Sequence, residues 1–126
     1  MRLLLDTHTY LWWLADDPLL PETARQAIGA GRAVVHVSAA SLWEISFKQS
    51  LGRLEIADTI DLVDEIEANG FVELPIRAAH ARTAAGLAAP DADPFLRLLI
   101  AQAQIEGLTL VSRRDELDDY DVTRLA

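Results

Sequence analysis

The sequence contains no cysteine, few positive charges and no long hydrophobic run. Without cysteine the chain cannot form disulfides, zinc-thiolate sites or cysteine nucleophiles, and this composition is consistent with a reducing cytosol. No apolar run approaches the roughly 20 residues that a membrane-spanning helix requires, and the N-terminus has no basic segment before a long apolar one. We therefore expect a soluble protein of the cytoplasm.

Basic residues are scarce, since 11 lysines and arginines stand against 20 aspartates and glutamates and the formal net charge is −9. This charge argues against broad, nonspecific binding to duplex nucleic acid, which normally needs a basic surface. It does not exclude an enzyme whose clustered acids hold divalent cations, because bound cations reverse the local charge of such a site.

The length of 126 residues, 51% of them hydrophobic, is sufficient for one domain with a sizeable core. Apolar segments of strand length alternate with helical patterns, which predicts an α/β fold with a mainly parallel central sheet. Five strands are predicted, over residues 2–5, 33–37, 71–74, 108–112 and 121–123. Helices are predicted after Asp6, Pro21, Ser38 and Asp58 and over residues 77–87 and 94–106. No repeat or linker divides the chain, so residues 1–126 are predicted to be a single domain.

Asp6 closes the first apolar run and comes directly before a segment with helical spacing. An acid at that point lies at the carboxyl end of a buried strand, the region where open α/β sheets bind their ligands. The same residue can act as the N-cap of the following helix, because aspartate is among the preferred caps. The two roles are compatible, and Asp6 is the first candidate for a catalytic residue.

Glu44 is the second candidate and lies between Trp43 and Ile45 in an apolar helix that follows the second strand. A carboxylate buried in such a helix needs a cation or hydrogen-bonding partners. Two structural roles compete with a catalytic one: a capping box with Ser41, and an ion pair with Lys48 one helical turn later.

Asp93 is the third candidate, although an aspartate before a proline is also typical of a helix start. It begins the helix that leads into the fourth strand, so in a parallel sheet it would meet Asp6 and Glu44 at one edge. Three close carboxylates repel one another and stay ionised only if a cation joins them. Because cysteine and clustered histidine are lacking, the oxygen ligands favour a hard ion, Mg²⁺ or Mn²⁺.

Four segments of the chain form a recognisable set. They are Leu3-Leu4-Leu5-Asp6-Thr7-His8 with Trp12-Trp13, then Val37-Ser38-Ala39-Ala40-Ser41-Leu42-Trp43-Glu44-Ile45, then Asp93-Pro94-Phe95 with Leu98-Leu99-Ile100-Ala101-Gln102-Ala103, and Gly107-Leu108-Thr109-Leu110-Val111-Ser112-Arg113. Together, and in this order, they resemble the PIN domains of VapC-type toxins. The resemblance implies a three-layer α/β/α fold and a Mg²⁺-dependent endoribonuclease that cleaves structured RNA and inhibits translation. It also implies a VapB-type antitoxin that covers the site, and a toxin homodimer within that assembly.

The resemblance implies a catalytic and metal-binding site of three acids, namely Asp6, Glu44 and Asp93. Two positions depart from the family pattern. The second aspartate that usually follows Asp-Pro-Phe is Leu96 here, and the aspartate that usually lies two residues beyond the fourth strand is Arg114. Asp115, one residue later, is a further metal-ligand candidate. With these departures we expect weaker cation binding than is usual in the family.

Three basic side chains are candidate contacts for an RNA phosphate: Lys48, Arg97 and Arg113. A solvated surface charge, or a pair within one helix, is the more common role for such residues. The sequence leaves both roles open.

Two alternatives to an active nuclease stay open at this point. A PIN-fold module that has lost catalysis would still bind antitoxin or RNA, and Leu96 and Arg114 are the reason to consider it. A phosphoacceptor domain of the receiver type also places acids at the strand ends of a parallel sheet. That activity needs an aspartate at the end of a central strand, and none ends the predicted second or third strand.

Overall fold

The computed structural model describes residues 1–88 and 93–126 and contains a five-stranded sheet and six α-helices. In chain order the elements are β1 (Arg2–Leu5), α1 (Thr7–Ala15), α2 (Glu22–Gly29), β2 (Val34–Ser38), α3 (Ala39–Ser50), α4 (Leu62–Ala68), β3 (Val72–Leu74), α5 (Ala78–Ala85), α6 (Pro94–Glu106), β4 (Thr109–Val111) and β5 (Arg124–Leu125). A short 3₁₀ helix, Asp115–Asp119, precedes β5. Of the chain break predicted over residues 90–94, residues 90–92 lie outside the described parts.

The sheet is parallel throughout, with the strand order β3-β2-β1-β4-β5. The chain first adds β2 and β3 on one side of β1, and then returns to add β4 and β5 on the other side. The strand order therefore reverses between β1 and β4. In parallel α/β sheets, ligands bind in the crevice at the carboxyl ends of the strands at such a point.

The three leucines of β1 divide the core into two halves. Leu3 and Leu5 pack on one face of the sheet and Leu4 packs on the other, and all three are fully buried. Burial of each such side chain contributes about 1.5–3 kcal/mol to folding. Helices α1, α2 and α4 cover the first face, where their buried residues are Tyr10, Ala24, Ile28 and Ile66. Helix α6 covers the second face with Leu96, Leu99, Ile100 and Ala103. The predicted α/β fold is confirmed, with helices on both faces of the sheet.

The fifth strand is present, but its predicted bounds of 121–123 are wrong, since β5 is Arg124–Leu125. The sheet-edge hydrogen bonds begin at residue 123, where the Leu110 N–H donates to the Thr123 carbonyl at 2.8 Å. Arg124 donates hydrogen bonds to both carboxylate oxygens of Asp118, at 2.8 and 2.9 Å, and so connects β5 to the preceding 3₁₀ helix. This charged hydrogen bond also lowers the pKa of Asp118 below its ordinary value.

The fourth helix begins later than predicted, at Leu62 instead of after Asp58. Asp61 is its cap, because the Asp61 carboxylate accepts hydrogen bonds from the N–H groups of Val63 and Asp64 at 3.0 and 3.1 Å. Residues 57–60 instead form a turn, closed by a hydrogen bond from the Ile60 N–H to the Ala57 carbonyl. In the described parts of the chain, no helix is both long enough and apolar enough to cross a membrane.

Candidate functional site

Asp6 lies directly after β1, at the reversal of strand order, and is the N-cap of α1. Its Oδ1 accepts a hydrogen bond from the Thr9 N–H at 2.8 Å, and its own N–H donates to the Val111 carbonyl of β4 at 3.1 Å. These bonds fix a carboxylate that is 4% exposed. The second carboxylate oxygen of Asp6 has no hydrogen-bond partner among the residues that the structure describes. The capping role and a role at the site are thus compatible in this geometry.

Glu44 lies in the second turn of α3 and is 5% exposed. Both of its carboxylate oxygens have partners. Oε1 accepts a hydrogen bond from Thr7 Oγ1 at 2.6 Å, and Oε2 forms an ion pair with the Lys48 ammonium group. The predicted pair between Glu44 and Lys48 is therefore present, and it neutralises a carboxylate that would be costly to bury alone.

The capping box considered as one alternative for Ser41 and Glu44 is not formed, because α3 begins one turn earlier than that box requires and Ser38 is its cap, as predicted. The Ser38 Oγ accepts a hydrogen bond from the Ala40 N–H at 3.0 Å. Ser41 is instead buried beside the site, with its hydroxyl 3.1 Å from Thr7 Oγ1.

Asp6 and Glu44 line one small cavity, which is the central feature of the site. Its volume is about 10 Å³, which is close to the room needed for a single water molecule. The other lining residues are Thr7, His8, Leu96, Leu99 and Arg114. The tertiary structure therefore brings together two of the three acids that the sequence singles out.

Asp93 does not line this cavity. Its side chain caps α6 through a hydrogen bond from the Phe95 N–H to Oδ1 at 2.9 Å, which is the alternative role considered from the sequence. Its Oδ2 lies 3.9 Å from the guanidinium group of Arg114. Leu96, three residues further along, lines the cavity instead. Residues three apart on a helix project in neighbouring directions, and here the direction of Leu96 is the one that faces the cavity.

Asp115 also lies outside the cavity, exposed at the start of the 3₁₀ helix. The residue before it, Arg114, lines the cavity instead and bonds Glu116 Oε1 at 2.7 Å. Asp115 is close enough to Arg124 to raise the pKa of that guanidinium, together with the larger effect of Asp118. The structure thus places Arg114, and not Asp115, next to the two buried acids.

The charges around the cavity are nearly balanced. Asp6 and Glu44 carry two negative formal charges, and Lys48 and Arg114 carry two positive ones. Across residues 1–88 and 93–126, no group of three or more acidic or histidine side chains is arranged to hold a metal ion. The site is therefore less acidic than expected from the sequence, because Lys48 also belongs to it and Asp93 is turned toward Arg114.

Thr7 is the site residue that the sequence reasoning missed. Its hydroxyl group joins α1, the helix that Asp6 caps, to α3, the helix that contains Glu44. The sequence signal that could have identified it was its position immediately after Asp6, the acid that follows β1.

Of the three basic candidates for phosphate contacts, Lys48 is paired with Glu44 and the other two have different partners. The Arg113 guanidinium is 5.8 Å from the centre of the Trp12 ring. Arg97 donates hydrogen bonds to the backbone carbonyls of residues 84, 85 and 87.

The position of α1, which carries Thr7, is fixed by the buried phenol of Tyr10. Its hydroxyl donates to the Leu62 carbonyl at 2.8 Å and so joins α1 to α4. Burial raises the pKa of Tyr10, and the negative charges of Glu65 and Asp61 raise it further. The phenol therefore keeps its proton in the folded chain at pH values where a free tyrosine would lose it.

The PIN domain family model matches residues 3–122 of the sequence. The chain belongs to the PIN domain family. This membership confirms the resemblance found in the sequence, and the receiver-type alternative is wrong. A search for relatives among curated proteins gives no match.

Several solved structures share the PIN fold with this chain. VapBC2 from Rickettsia felis, bound to a DNA fragment from its promoter, has 13% identity and a TM-score of 0.67, with 99% of this chain and 98% of that chain covered. A toxin–antitoxin complex from Klebsiella pneumoniae has 15% identity and a TM-score of 0.68, with 98% and 96% covered. FitAcB from Neisseria gonorrhoeae has 18% identity and a TM-score of 0.66, with 100% and 97% covered. At these identities the likeness shows the fold alone.

The hydroxyl group of Thr7 is expected to stabilise the site measurably. Thr7→Val should lower the free energy of unfolding by about 1–3 kcal/mol, because a buried carboxylate oxygen of Glu44 loses its donor. Thr7→Ser keeps the hydroxyl and should cost less than about 1 kcal/mol, mainly for the lost methyl group. Urea denaturation of the three proteins measures both effects. Equal losses in the two variants would contradict this role of the hydroxyl.

Proposed function

We propose that the chain is the nuclease toxin of a VapBC-type toxin–antitoxin module. In this proposal it is a Mg²⁺-dependent endoribonuclease that cleaves structured RNA in the cytoplasm and thereby inhibits translation. Membership in the PIN family and the fold shared with toxin–antitoxin complexes support the proposal. The observation that carries it is the cavity at the reversal of strand order, which Asp6 and Glu44 line together.

Asp6 and Glu44 are the residues that would hold a divalent cation. Their carboxylate oxygens are the hard ligands that Mg²⁺ and Mn²⁺ prefer. Asp6 offers an oxygen that has no hydrogen-bond partner in the described parts of the chain, and the cavity has the size of one water molecule. We propose Asp93 as a third and more distant acid, which would act through water or after a change of rotamer. Asp115 is left out of the proposed set because it is exposed and outside the cavity.

The chain's own residues would position these acids and the substrate. The Thr9 N–H fixes the Asp6 carboxylate, and Thr7 fixes that of Glu44, so little reorganisation of the acids is needed. Arg114, which lines the cavity, would contact a phosphate of the RNA. A bound divalent cation would supply Lewis-acid polarisation of the scissile phosphate and activation of water.

The proposed activity is tested with purified chain, a structured RNA, and Mg²⁺ or Mn²⁺. We expect cleavage that Asp6→Asn reduces by about 100-fold or more, as when a charge-stabilising group is removed from a reacting centre. Asparagine caps a helix as well as aspartate does, so this variant should keep its fold. Asp58→Asn, which alters an exposed acid, is the matched control and should cleave as fast as the unaltered chain. Cleavage that is equal in Asp6→Asn and the unaltered chain would contradict the proposal.

The second candidate function is a PIN-fold module that binds antitoxin or RNA without efficient catalysis. The specific observation in its favour is that an apolar and a basic side chain, Leu96 and Arg114, line the cavity beside Asp6 and Glu44. Arg114 offsets the negative charge that favours a divalent cation, and Leu96 supplies no ligand atom.

Acids introduced at these two positions separate the two functions. If catalysis has been lost, the double variant Leu96→Asp with Arg114→Asp should cleave RNA at least about tenfold faster than the unaltered chain, because two further carboxylates strengthen cation binding. The control is Leu96→Asn with Arg114→Asn, which loses the same apolar and basic groups without adding charge. Efficient cleavage by the unaltered chain, with no gain in the acidic variant, would exclude this second function.

We also propose a VapB-type antitoxin as the partner, in an assembly that contains a homodimer of the chain. The solved neighbours include toxin–antitoxin complexes. An apolar groove of about 420 Å³ lies between α1 and residues 54–62, and includes Leu14, Leu54 and Ile56. With a net charge of −9, the chain favours a partner segment that combines apolar anchors with arginine.

Partner binding is tested by co-expression with a candidate antitoxin, followed by co-purification and light scattering. Ile56→Glu should weaken the complex by about tenfold or more, because it introduces a charge into an apolar contact. Ile105→Glu, at an exposed isoleucine on α6, should leave binding unchanged. Recovery of free monomer alone would argue against both the antitoxin and the homodimer, and equal binding by both variants would argue against the groove.

A further inference from the structure

Lys48 is the only lysine of the sequence, and its ammonium group lies on one of the two buried acids of the site. The Lys48 side chain is 33% exposed, whereas that of Glu44 is 6% exposed. The pair therefore has one end in the solvent and the other in the protein interior. The chain also has 10 arginines, but in the described parts of the structure none of them forms a hydrogen bond or an ion pair with Glu44.

The two carboxylate oxygens of Glu44 have different partners, and this difference determines how a divalent cation could bind to Glu44. Oε1 is bonded by the neutral hydroxyl of Thr7, and Oε2 by the charged ammonium of Lys48. A divalent cation that bound Glu44 directly would need one of these oxygens. Two cations on one oxygen repel each other, so the cation and Lys48 would compete for Oε2.

Arg114 does not have this role, although it also lines the cavity. Its guanidinium bonds Glu116 and lies 3.9 Å from Asp93, and neither of those acids lines the cavity. Of the two, Lys48 is thus the cation that is paired directly with an acid lining the cavity. It neutralises Glu44 when no metal is present, which explains how an apolar helix can contain a buried carboxylate.

We propose that Lys48 is an internal counter-ion of Glu44 that competes with the divalent cation for this carboxylate and is released when the cation binds. The inference rests on the proposed function, because it concerns the same metal site. It identifies Lys48 as a positioning residue that holds Glu44 ready in the metal-free chain. The same pair lowers the affinity of the site for the cation.

The first test measures Mn²⁺ binding by electron paramagnetic resonance in metal-free protein. Lys48→Met removes the competing charge and keeps most of the aliphatic chain, so Mn²⁺ should bind about tenfold more tightly, which is within the usual range for coupled ligands. Lys48→Arg keeps the charge and should bind Mn²⁺ like the unaltered chain. Arg53→Met removes an exposed charge just beyond α3 and should change the affinity less than about twofold, because exposed charges are screened.

The Mn²⁺ binding measurements distinguish an error in the role of Lys48 from an error in the proposed metal site. Mn²⁺ binding that Asp6→Asn abolishes, but that is equal in Lys48→Met and the unaltered chain, overturns the role of Lys48 and leaves the metal site intact. Mn²⁺ binding that is insensitive to Asp6→Asn in every variant overturns the metal site itself, and the inference with it.

The second test uses the unaltered chain, so it does not depend on a variant that folds. With one lysine, acylation by an amine-reactive ester modifies one side chain, and mass spectrometry can follow it relative to the α-amino group. Saturating Mn²⁺ should accelerate acylation of Lys48 several-fold over NaCl of the same ionic strength, because the ammonium group leaves Glu44. An unchanged or slower rate in Mn²⁺ overturns the proposal.

Discussion

The parallel pairing of β1 with both β2 and β4 is the constraint on which the rest of the structure depends. It buries Leu3, Leu4 and Leu5 on two faces, and it aligns the carboxyl ends of the three strands at one edge. Asp6 follows β1 at this edge, and the helix after β2 brings Glu44 beside it. A slip of one residue in β1 would exchange the two faces and separate the acids, because side chains in a strand alternate. The core and the site are thus set by the same register.

The two buried acids require a neutralising environment, and the chain provides much of it. A capping N–H bonds Asp6, and a hydroxyl and an ammonium group bond Glu44. These contacts make the pair of carboxylates compatible with burial before any ion binds. They also mean that the chain's own cations oppose the charge of an incoming one. In the proposed metal site, the positioning of Glu44 and the affinity for a cation are therefore linked through Lys48.

Leu96 and Arg114 affect the charge of the cavity and are compatible with the PIN fold. Leu96, on α6, packs in the core and also lines the cavity, so its apolar side chain contributes to stability and adds no charge to the cavity. Arg114 connects the edge of the cavity to Asp93 and Glu116 by charge interactions at the surface. The family membership establishes the architecture, while these side chains set how acidic the site is. The fold alone therefore does not determine the activity of this member.

The sequence by itself determined the α/β class, the first strand, and the caps Asp6, Ser38 and Asp93. These features depend on local patterns of apolar residues and on hydrogen bonds within a few residues, so nearby sequence contains the information. Tertiary structure alone decided that Asp6 and Glu44 share a cavity and that Leu96 and Arg114, not Asp93 and Asp115, line it with them. The same holds for β5, whose position at residues 124–125 depends on its pairing with β4. Contacts between segments far apart in the chain depend on strand order and helix rotation, and neither is encoded in the residues next to each acid.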